Sequence, residues 1–428
     1  MENILEINEA QYEEVVLNGG LVAFDFYSTE CPPCEALASK FHSLHDVYGH
    51  DIKFVKIFRQ GNRELANKLG VNSSPTLLFY KDGQLIGKKL TGGIKRAEIM
   101  ENLDSMIGTE RARELKSGIK PFETECDVLI LGAGPAGLTA GIYTAQAKLK
   151  TIIVDIGLAG GQVSKTHLVS NFPGFTKPIE GFMLMHNMNE QAVEAGVERR
   201  YAVDVTHADL EKKEIIIDGV ETIRAKKIIV ATGSTHRLLG VPGEEEYKGD
   251  GISYCATCDG KYFQDKEVVV IGGGNSAVEE SLFITKFATK VTIVHQFATL
   301  QANKLAQEKA FANEKIEFIL EHEPRKFEKT PTGMDVTVED LKTRQLKTLS
   351  THGVFIFAGM KPNIDLFGDR FEKDQWGYIK TDVFMRTTVK DVFAVGDVAN
   401  NPYRQITVAV SDGTKAAITA TREIDDAA

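Results

Sequence analysis

Four of the five cysteines form two Cys-x-x-Cys pairs, Cys31/Cys34 in "ECPPC" and Cys255/Cys258 in "SYCATCDG"; Cys126 is left over. Such pairs serve either metal binding or thiol–disulfide chemistry. The two halves of a zinc site usually follow each other within about twenty residues, whereas these pairs are far apart, so we expect no metal site. In a reducing compartment, paired cysteines are more often catalytic than structural. We therefore expect both pairs to be catalytic and redox-active.

The first pair lies where a strand pattern gives way to a helix. In "DFYSTECPPCEALASKF" an apolar run ends before Cys31, and Pro32 suits the first position of a helix. A sulfur at a helix N-terminus has a lowered pKa, because the helix dipole stabilises the thiolate. Cys34 follows one turn later, where it can resolve a mixed disulfide. The pattern predicts a nucleophilic Cys31 and a resolving Cys34.

Two segments share a strand, glycine turn, helix and strand. Residues 128–155 ("VLILGAGPAGLTAGIYTAQAKLKTIIVD") align without a gap with residues 268–295 ("VVVIGGGNSAVEESLFITKFATKVTIVH"). This is the βαβ unit of a dinucleotide-binding domain. In the first unit Asp155 ends the second strand, where a carboxylate accepts hydrogen bonds from a ribose. The glycines for the tight turn, the approach of a pyrophosphate and the packing of helix on strand are Gly132, Gly134 and Gly137.

The second unit keeps the turn but loses the selectivity signal. Gly272, Gly274 and Ala277 supply the turn, while His295 stands at the position of Asp155. Neither the acid expected for the ribose of NADH nor the arginines expected for the 2′-phosphate of NADPH follow. The sequence thus predicts a nucleotide fold without stating which nucleotide it takes.

Composition narrows the class of protein further. The 428 residues exceed one ordinary core, which predicts several domains. A formal net charge of -10 argues against a nucleic-acid surface. The N-terminal "MENILEINEAQYEE" has neither part of an export signal, so we expect a cytoplasmic protein. Residues 128–147 carry no charge, but their glycines and Pro135 favour a strand, turn and helix over a membrane span.

Residues 1 to about 108 resemble a thioredoxin. The segment "FDFYSTECPPC" matches the strand and active site of that family, and "NSSPTLLFYKDGQLIGKKLTGG" matches its later hairpin. The resemblance implies a buried carboxylate at Asp25, a nearby lysine at Lys56 and a cis-proline beside the cysteines at Pro75. Taken alone, Asp25 also fits an ordinary strand residue. Glu30 replaces the usual tryptophan and Pro-Pro replaces Gly-Pro between the cysteines, which alters the expected partner docking and reduction potential.

From about Cys126 to the C-terminus, the chain resembles the low-molecular-weight thioredoxin reductases. Their motifs occur in order as "GAGPAG", "GGQ", "NFPG", "ATG", "CATCDG", "GGGNSAVEE", "GDV" and "YRQITVAVSDG". The resemblance implies an α/β protein with an N-terminal thioredoxin fold and two Rossmann-like domains, for FAD and for a nicotinamide nucleotide, the second inserted in the first. Besides the turn glycines and Asp155, the FAD contacts that it implies are Pro135, Ala136, Gly161, Gln162, Asn171, Gly396, Asp397, Arg404, Gln405 and Ile406.

The same resemblance divides the work between the later cysteines. In that family the second cysteine lies against the flavin and the first attacks the substrate disulfide. Carried over, Cys258 receives electrons from reduced FAD, Cys255 is the interchange thiol and Asp259 is a candidate proton donor. Asp259 also fits a carboxylate at a helix start without chemistry.

The electron donor is where the sequence departs from the family. NADPH-specific members carry "HRRxxxR" after the second βαβ unit, and this chain has "HQFATLQ" from His295 to Gln301. Arginine–phosphate contacts are charge-assisted and often bidentate, so their loss weakens NADPH relative to NADH. We expect NADH to be favoured, with reduced ferredoxin as an open alternative.

The resulting hypothesis is a flavoprotein disulfide reductase with its own thioredoxin-like domain. The expected domains are residues 1–108, a linker at 109–123, an FAD domain at 124–235 and 364–428, and a nicotinamide domain at 236–363. Electrons would run from the donor through FAD and the later cysteine pair to the first pair and on to protein disulfides. We expect a homodimer. The alternatives are an electron donor to a peroxiredoxin, similar to the alkyl hydroperoxide reductase flavoprotein, and a flavin-binding redox sensor.

Overall fold

The computed structural model describes residues 4–427 apart from residues 19, 30, 167, 168 and 170, and it describes residues 257 and 258 by their backbone only. The chain divides into two compact units. The first contains Met1–Gly161, Met185–Gly233 and Ile364–Ala428, and the second contains Gln162–Leu184 and Ser234–Asn363.

The N-terminal part of the first unit is a mixed sheet flanked by helices. Its elements are β1 (Leu5–Ile7), β2 (Leu21–Tyr27), α1 (Pro32–Tyr48), β3 (Lys53–Phe58), α2 (Arg63–Lys68), β4 (Thr76–Lys81), β5 (Gln84–Thr91), α3 (Arg96–Ile107) and α4 (Thr109–Ser117). The strand order is β1-β3-β2-β4-β5, with β1, β2 and β3 parallel and β4 and β5 antiparallel to their neighbours. Alternate residues of β2 enter two different cores, Phe24 one and Ala23 the other.

Helix α4 is tied to the N-terminal sheet domain. Arg111 pairs with Asp51 at 2.9 Å and Lys116 pairs with Asp104 at 2.6 Å, while Ala112 is buried. Only four residues, 118–121, separate α4 from the next strand. Most of the segment 109–123 therefore has regular structure.

The next part of the chain builds a second sheet. Its elements are β6 (Phe122–Leu131), α5 (Pro135–Gln146), β7 (Thr151–Asp155), α6 (Gly181–Glu194), β8 (Glu198–Tyr201), β9 (Val205–Asp209), β10 (Glu214–Ile217) and β11 (Glu221–Val230). The order is β8-β7-β6-β11-β10-β9, so that β8 is an edge strand. Residues 128–131 of β6 and 151–154 of β7 are buried and carry no charge, because α5 covers these strands as a βαβ unit requires.

The second unit carries its own parallel sheet. Its elements are β12 (Ser234–His236), β13 (Ile252–Ser253), α7 (Ala256–Asp259), β14 (Glu267–Ile271), α8 (Asn275–Ile284), β15 (Lys290–His295), α9 (Lys304–Phe311), β16 (Ile316–Leu320), β17 (His322–Thr330), β18 (Gly333–Asp340), β19 (Leu346–Thr351), β20 (Gly353–Ile356) and β21 (Met360–Pro362). The parallel order is β13-β20-β14-β15-β16, and β17, β18 and β19 form an antiparallel layer.

The C-terminal segment returns to the first unit. Strand β22 (Val392–Ala394) pairs in parallel with β11, and α10 (Ile406–Asp425) packs on α5. The contact is close because both helices present small residues: a Cβ added at Gly413 would lie 2.2 Å from the carbonyl oxygen of Ala136. The predicted α/β architecture, with the second Rossmann-like domain inserted in the first, is confirmed.

Within the described part of the chain, no helix has the length and apolar character needed to span a bilayer. Residues 128–147 form the end of β6, a turn and α5 instead.

Candidate functional site

The first cysteine pair opens helix α1. Cys31 is the residue that caps the helix, Pro32 is its first residue, and the backbone N–H of Cys34 donates to the Cys31 sulfur at 3.3 Å. The two sulfurs form a disulfide. Pro32 thus occupies the position that the sequence predicts, and both sulfurs lie in the first turn, where the helix dipole favours a thiolate.

Of the three residues expected near this disulfide, Pro75 lies beside Cys31, while Asp25 and Lys56 face each other on neighbouring strands of the sheet. The peptide bond between Ser74 and Pro75 is cis, and the Ser74 carbonyl oxygen lies 3.5 Å from the Cys31 sulfur. Asp25 is opposite Lys56 in the pairing of β2 with β3 and is 7% exposed. Burial raises the pKa of Asp25 to about 7, although the charge of Lys56 opposes the change.

The first glycine turn is fitted so tightly that side chains are excluded from two of its positions. A Cβ at Gly132 would lie 2.3 Å from the carbonyl oxygen of Ala231, and one at Gly137 would lie 1.9 Å from that of Gly132. A Cβ at Gly134, by contrast, would meet no atom within 4 Å. The chain therefore leaves open space at the position predicted to receive a pyrophosphate.

Asp155 holds the same turn from the neighbouring strand. Its carboxylate accepts the backbone N–H groups of Ala133 at 2.6 Å and Gly157 at 2.7 Å. Burial raises the pKa of Asp155, and these two hydrogen bonds oppose the change. Gly161, with a φ of 55°, lies against Gly134, so the "GGQ" motif reaches the turn.

The start of α10 completes this side of the first unit. Gln405 caps the helix and Ile406 is its first residue. Gly396 has a φ of 70° and packs on Ala136. The Arg404 guanidinium lies 4.0 Å from the centre of the Tyr378 ring, and its Nε has no hydrogen-bond partner among the described residues.

These features fit the binding of FAD. An open position in a glycine turn suits a pyrophosphate, a buried carboxylate beside it suits a ribose, and an unpartnered guanidinium N–H suits a further polar group of the cofactor. Pro135 opens α5, whose N-terminus faces the turn. Asp397 lies in a short helical turn after Gly396. Gln162 and Asn171 belong to the second unit, where the Gln162 amide donates to the Ser234 carbonyl at 3.3 Å.

The glycine turn of the second unit has a histidine ring packed against it. Gly272 has a φ of 133°, Gly274 caps α8, and Ala277 is buried on that helix. A Cβ at Gly273 would lie 2.4 Å from the ring of His295, so the imidazole rests directly on the turn. Burial lowers the pKa of His295, and its Nε2 has no hydrogen-bond partner among the described residues.

A cavity of about 570 Å³ opens at this turn. It is lined by the glycine turn, by Gln296 and Gln301 of the "HQFATLQ" segment, and by Arg237. Arg325 also lines the cavity but pairs with Glu339. The volume suits a nucleotide, and the two glutamines stand where the family motif has arginines.

The second cysteine pair lies on the short helix α7. Asp259 accepts a hydrogen bond from the Ser253 hydroxyl at 2.6 Å, and the backbone N–H of Cys255 donates to the same hydroxyl oxygen at 3.1 Å. The Cys255 sulfur is 3.7 Å from the Lys165 carbonyl oxygen. The side chain of Cys258 lies outside the described residues. Ser253 thus connects the carboxylate of the candidate proton donor to the backbone of Cys255.

Sequence reasoning missed two residues of these sites. Ser253 belongs to the segment "SYCATCDG", and its sequence signal is a hydroxyl two residues before a redox cysteine. Arg237 follows the "ATG" motif and enters the cavity because β12 pairs with β21. No group of three or more His, Cys, Asp or Glu side chains that could hold a metal ion occurs in the described part of the chain.

Comparison with known proteins assigns the class. Residues 126–413 match the family "Pyridine nucleotide-disulphide oxidoreductase" and residues 3–105 match "Thioredoxin". The chain belongs to the pyridine nucleotide-disulphide oxidoreductase family and carries a thioredoxin domain in front. It is therefore a flavoprotein oxidoreductase.

The relatives narrow the class to thioredoxin reductase-like enzymes. A thioredoxin reductase of Peptoclostridium litorale is 41% identical over 312 residues, covering 71% of this chain and 99% of the relative. The thioredoxin reductase of Bacillus subtilis is 41% identical over 292 residues, covering 68% and 92%. A Clostridium pasteurianum protein described as "34.2 kDa protein in rubredoxin operon" is 44% identical, covering 71% and 98%.

Solved structures agree with this assignment. Thioredoxin reductase of Lactococcus lactis matches with a TM-score of 0.65 and 41% identity, covering 70% of this chain and 99% of that chain. Thioredoxin reductase of T. acidophilum matches with a TM-score of 0.64 and 34% identity, covering 70% and 99%. This chain is a thioredoxin reductase-like disulfide oxidoreductase with a fused thioredoxin domain.

Proposed function

We propose that this enzyme carries electrons from a reduced donor to protein disulfides through two cysteine pairs of one chain. The route runs from the donor through FAD to Cys255/Cys258, then to Cys31/Cys34, and then to an outside protein disulfide. The observation that carries the proposal is the presence, in one chain, of a thioredoxin domain with a Cys31–Cys34 disulfide and a reductase segment with a second pair.

The residues of the thioredoxin domain have separate roles in the last step. The Cys31 thiolate attacks a substrate sulfur, which forms a mixed disulfide and releases the other substrate sulfur as a thiolate. Cys34 then attacks Cys31, which forms the Cys31–Cys34 disulfide and releases the second substrate thiol. Asp25, whose pKa is raised to about 7 by burial, is suited to take the Cys34 proton near neutral pH. Pro75 shapes the wall beside Cys31, and Lys56 moderates the charge of Asp25.

In the reductase segment, Cys255 is the interchange thiol and Cys258 the flavin-side thiol. Asp259 acts as the proton donor, and its hydrogen bond with Ser253 holds its carboxylate near Cys255. When bound, FAD supplies two-electron transfer between a nicotinamide donor and a cysteine pair. Its pyrophosphate would be held at Gly134 and Pro135, and its ribose at Asp155.

NADH is proposed as the favoured donor over NADPH. The neutral Gln296 and Gln301 line the nucleotide cavity, and neither supplies the charge-assisted hydrogen bond that a 2′-phosphate needs. Arg237 also lines this cavity and carries the positive charge that a phosphate group needs. We assign it to the pyrophosphate, which NADH and NADPH share. Reduced ferredoxin stays an alternative donor.

Anaerobic titration tests the donor assignment. NADH, NADPH and reduced ferredoxin are added separately to the flavin-loaded enzyme, and the loss of flavin absorbance is followed. Bleaching by NADH at lower concentration than by NADPH is expected. Bleaching by NADPH at equal or lower concentration would overturn the assignment.

Replacement of both thioredoxin-domain cysteines tests the route. The full chain with Cys31→Ser and Cys34→Ser should still show flavin reduction by the donor but should no longer reduce insulin disulfides. Unchanged insulin reduction would show that Cys255 acts on outside disulfides directly. The alternative acceptor, a peroxiredoxin, would be favoured if a peroxiredoxin disulfide were reduced much faster than insulin. We also propose that the working enzyme is a homodimer.

A further inference from the structure

The thioredoxin domain contacts the edge of the neighbouring sheet within the first unit. We call this surface of the sheet the docking edge, and it consists of Leu158, Arg199, Tyr201, Ala202 and Asp204. These residues lie on the edge strand β8 or in the turns beside β7 and β8. An edge strand exposes unpaired backbone groups, which proteins normally cover.

Lys40 of α1 is the centre of the contact. Its ammonium group donates to the carbonyl oxygens of Ile94 at 3.0 Å, Tyr201 at 2.9 Å and Ala202 at 2.7 Å, and the residue is only 6% exposed. A lysine is rarely buried unless its three N–H groups find partners. Here two of the three acceptors belong to the docking edge, which supplies them because Ala202, with a φ of 52°, turns the chain after β8.

Ion pairs of both polarities surround Lys40. Lys95 donates to Asp204 at 2.6 Å, and Arg199 of the edge donates to Glu35 at 3.2 Å. The two pairs run in opposite directions, so each side of the contact offers one acid and one base. Such an arrangement fixes the register between two surfaces more than it adds affinity.

The contact also lies beside the active-site disulfide. Gly93 packs on Leu158, and its neighbour Gly92 donates to the carbonyl of Pro75 at 3.3 Å. Pro75 adjoins Ser74, whose carbonyl oxygen touches the Cys31 sulfur. Pro32, Glu35 and Arg199 line a common cavity of about 840 Å³. The docking edge therefore contacts the first turns of α1, at Glu35, four residues after Cys31.

We propose that the docking edge is a binding surface for the thioredoxin domain of the same chain, and that docking withholds Cys31 from outside protein disulfides. Release of the domain uncovers Pro32 and Glu35 at the start of α1, so that an external protein can reach Cys31. The regulatory meaning of this inference rests on the proposed function, but the docking itself does not. The release involves no covalent change.

Charge reversal tests the docking. Lys95→Asp and Asp204→Lys each place like charges together at the edge, and the double variant restores an opposite pair in reversed order. Small-angle X-ray scattering of the full chain should show a larger radius of gyration for each single variant and the wild-type value for the double. Lys88→Asp is the matched control, because it makes the same charge change at an exposed pair with Glu101 inside the thioredoxin domain.

A second measurement follows access to Cys31 without using flavin or an electron donor. In a Cys255→Ser background the chains are reduced with dithiothreitol, freed of it, and mixed with insulin. Two electrons and two protons pass from the Cys31/Cys34 dithiol to one insulin disulfide. Each single charge variant should react roughly fivefold faster than its parent, because it loses one ion pair of the docked interface. The double variant should return to the parental rate.

The small disulfide 5,5′-dithiobis(2-nitrobenzoate) separates access from thiol reactivity. It should react with all variants at one rate, because its size lets it pass the docked edge. Equal acceleration with this reagent would overturn the proposal, and so would scattering that the single variants leave unchanged. Lys40→Met, which keeps most of the apolar stem, should release the domain as the single variants do. If the charge variants changed scattering and insulin reactivity as expected but the wild-type chain passed no electrons from flavin to Cys31/Cys34, only the proposed function would be contradicted.

Discussion

Among single residues, the carboxyl group of Asp25 has the clearest dependence on pH. Burial raises its pKa from 3.8 to about 7, so folding favours the neutral form. The contribution of Asp25 to the free energy of unfolding is greatest below its ordinary pKa of 3.8 and is lost as the pH rises through about 7. The free energy of unfolding should therefore fall over this interval through Asp25.

Asp25→Asn should remove that dependence. At about pH 8 the variant should be more stable than the wild type by roughly 2 kcal/mol, less than the full ionisation penalty because the new amide also lacks partners. The difference should shrink towards about pH 5. Urea unfolding of the full chain at several pH values measures this, with the exposed Asp82→Asn as control. A stability difference that does not change with pH would contradict the assignment.

Ser253 is the second residue whose contacts make a prediction. Ser253→Ala removes the hydrogen bond to Asp259, and the lost interaction of about 1 kcal/mol corresponds to roughly a fivefold drop in kcat. The pH profile of turnover should shift, while the KM for the donor stays. Ser253→Thr should restore both properties, because it keeps the hydroxyl.

Steady-state reduction of insulin disulfides across pH provides the measurement. Ser350→Ala is the matched control, since Ser350 donates to Asp335 at 2.7 Å in the antiparallel layer of the same unit. An alanine variant with the wild-type pH profile, or a threonine variant as impaired as alanine, would show that Ser253 only caps a turn.

Residue types revealed the chemistry, but their partners depended on the fold. The spacing of Cys31 and Cys34 with Pro32 predicts a helix start, because these preferences are local. The pairing of Ser253 with Asp259 depends on the turn that α7 makes, and the raised pKa of Asp25 depends on its burial in the folded sheet domain. Neither can be calculated from neighbours in sequence.

At the scale of elements, the two glycines of the first turn should respond differently to alanine. Gly134→Ala should leave the flavin-free protein as stable as the wild type, because the added Cβ meets no atom, but it should reduce flavin content about tenfold or more by blocking the cofactor. Gly137→Ala should destabilise the protein by about 2 kcal/mol, since its Cβ would overlap the Gly132 carbonyl.

The ratio of flavin to protein absorbance and urea unfolding of the flavin-free chain measure these two effects. Each variant serves as the control for the other. Full flavin content in Gly134→Ala would show that the pyrophosphate does not approach this turn.

The segment after β15 allows a gain-of-function prediction. Gln296→Arg with Gln301→Arg should strengthen NADPH relative to NADH by about tenfold, because each new guanidinium can form a charge-assisted hydrogen bond with the 2′-phosphate. Anaerobic titration of flavin bleaching measures the two dissociation constants. Gln345→Arg, in the exposed turn between β18 and β19, controls for added positive charge. If the ratio of the two dissociation constants did not change, the 2′-phosphate of NADPH would not lie beside Gln296 and Gln301.

The elements themselves were largely predictable, and their cavity was not. Hydrophobic strands, glycine turns and the internal repeat identify both βαβ units, because each unit is a local pattern. Arg237 enters the cavity at the second glycine turn through the pairing of β12 with β21, two strands more than a hundred residues apart. The periodicity of hydrophobic residues along the chain does not predict which distant strands pair.

For the whole molecule, the main question is whether the relay runs within one chain. Covalent fusion raises the effective concentration of the acceptor domain, and only residues 118–121 separate α4 from β6. Mixing the Cys31→Ser chain with the Cys255→Ser chain should recover less than about a tenth of wild-type turnover at low protein concentration. Recovery should rise with concentration.

Insulin reduction across a dilution series of the mixture measures this. A wild-type chain diluted alongside is the control, and its turnover per chain should stay constant. Recovery near half of the wild-type rate at every dilution would show that the handoff crosses a stable dimer.

The sequence by itself determined the classes of chemistry, the two nucleotide folds, the thioredoxin domain and the family, because each depends on residue types at short, fixed spacings. Only the tertiary structure decided that Lys40 is buried against the carbonyls of Tyr201 and Ala202, that Ser253 holds Asp259 and that Arg237 lines the cavity at the second glycine turn. The contacts of Lys40 and Arg237 join residues that the chain brings together only when strands pair and domains dock, and the contact of Ser253 needs the turn that α7 makes. Burial and hydrogen-bond partners are properties of that assembly, so no local pattern contains them.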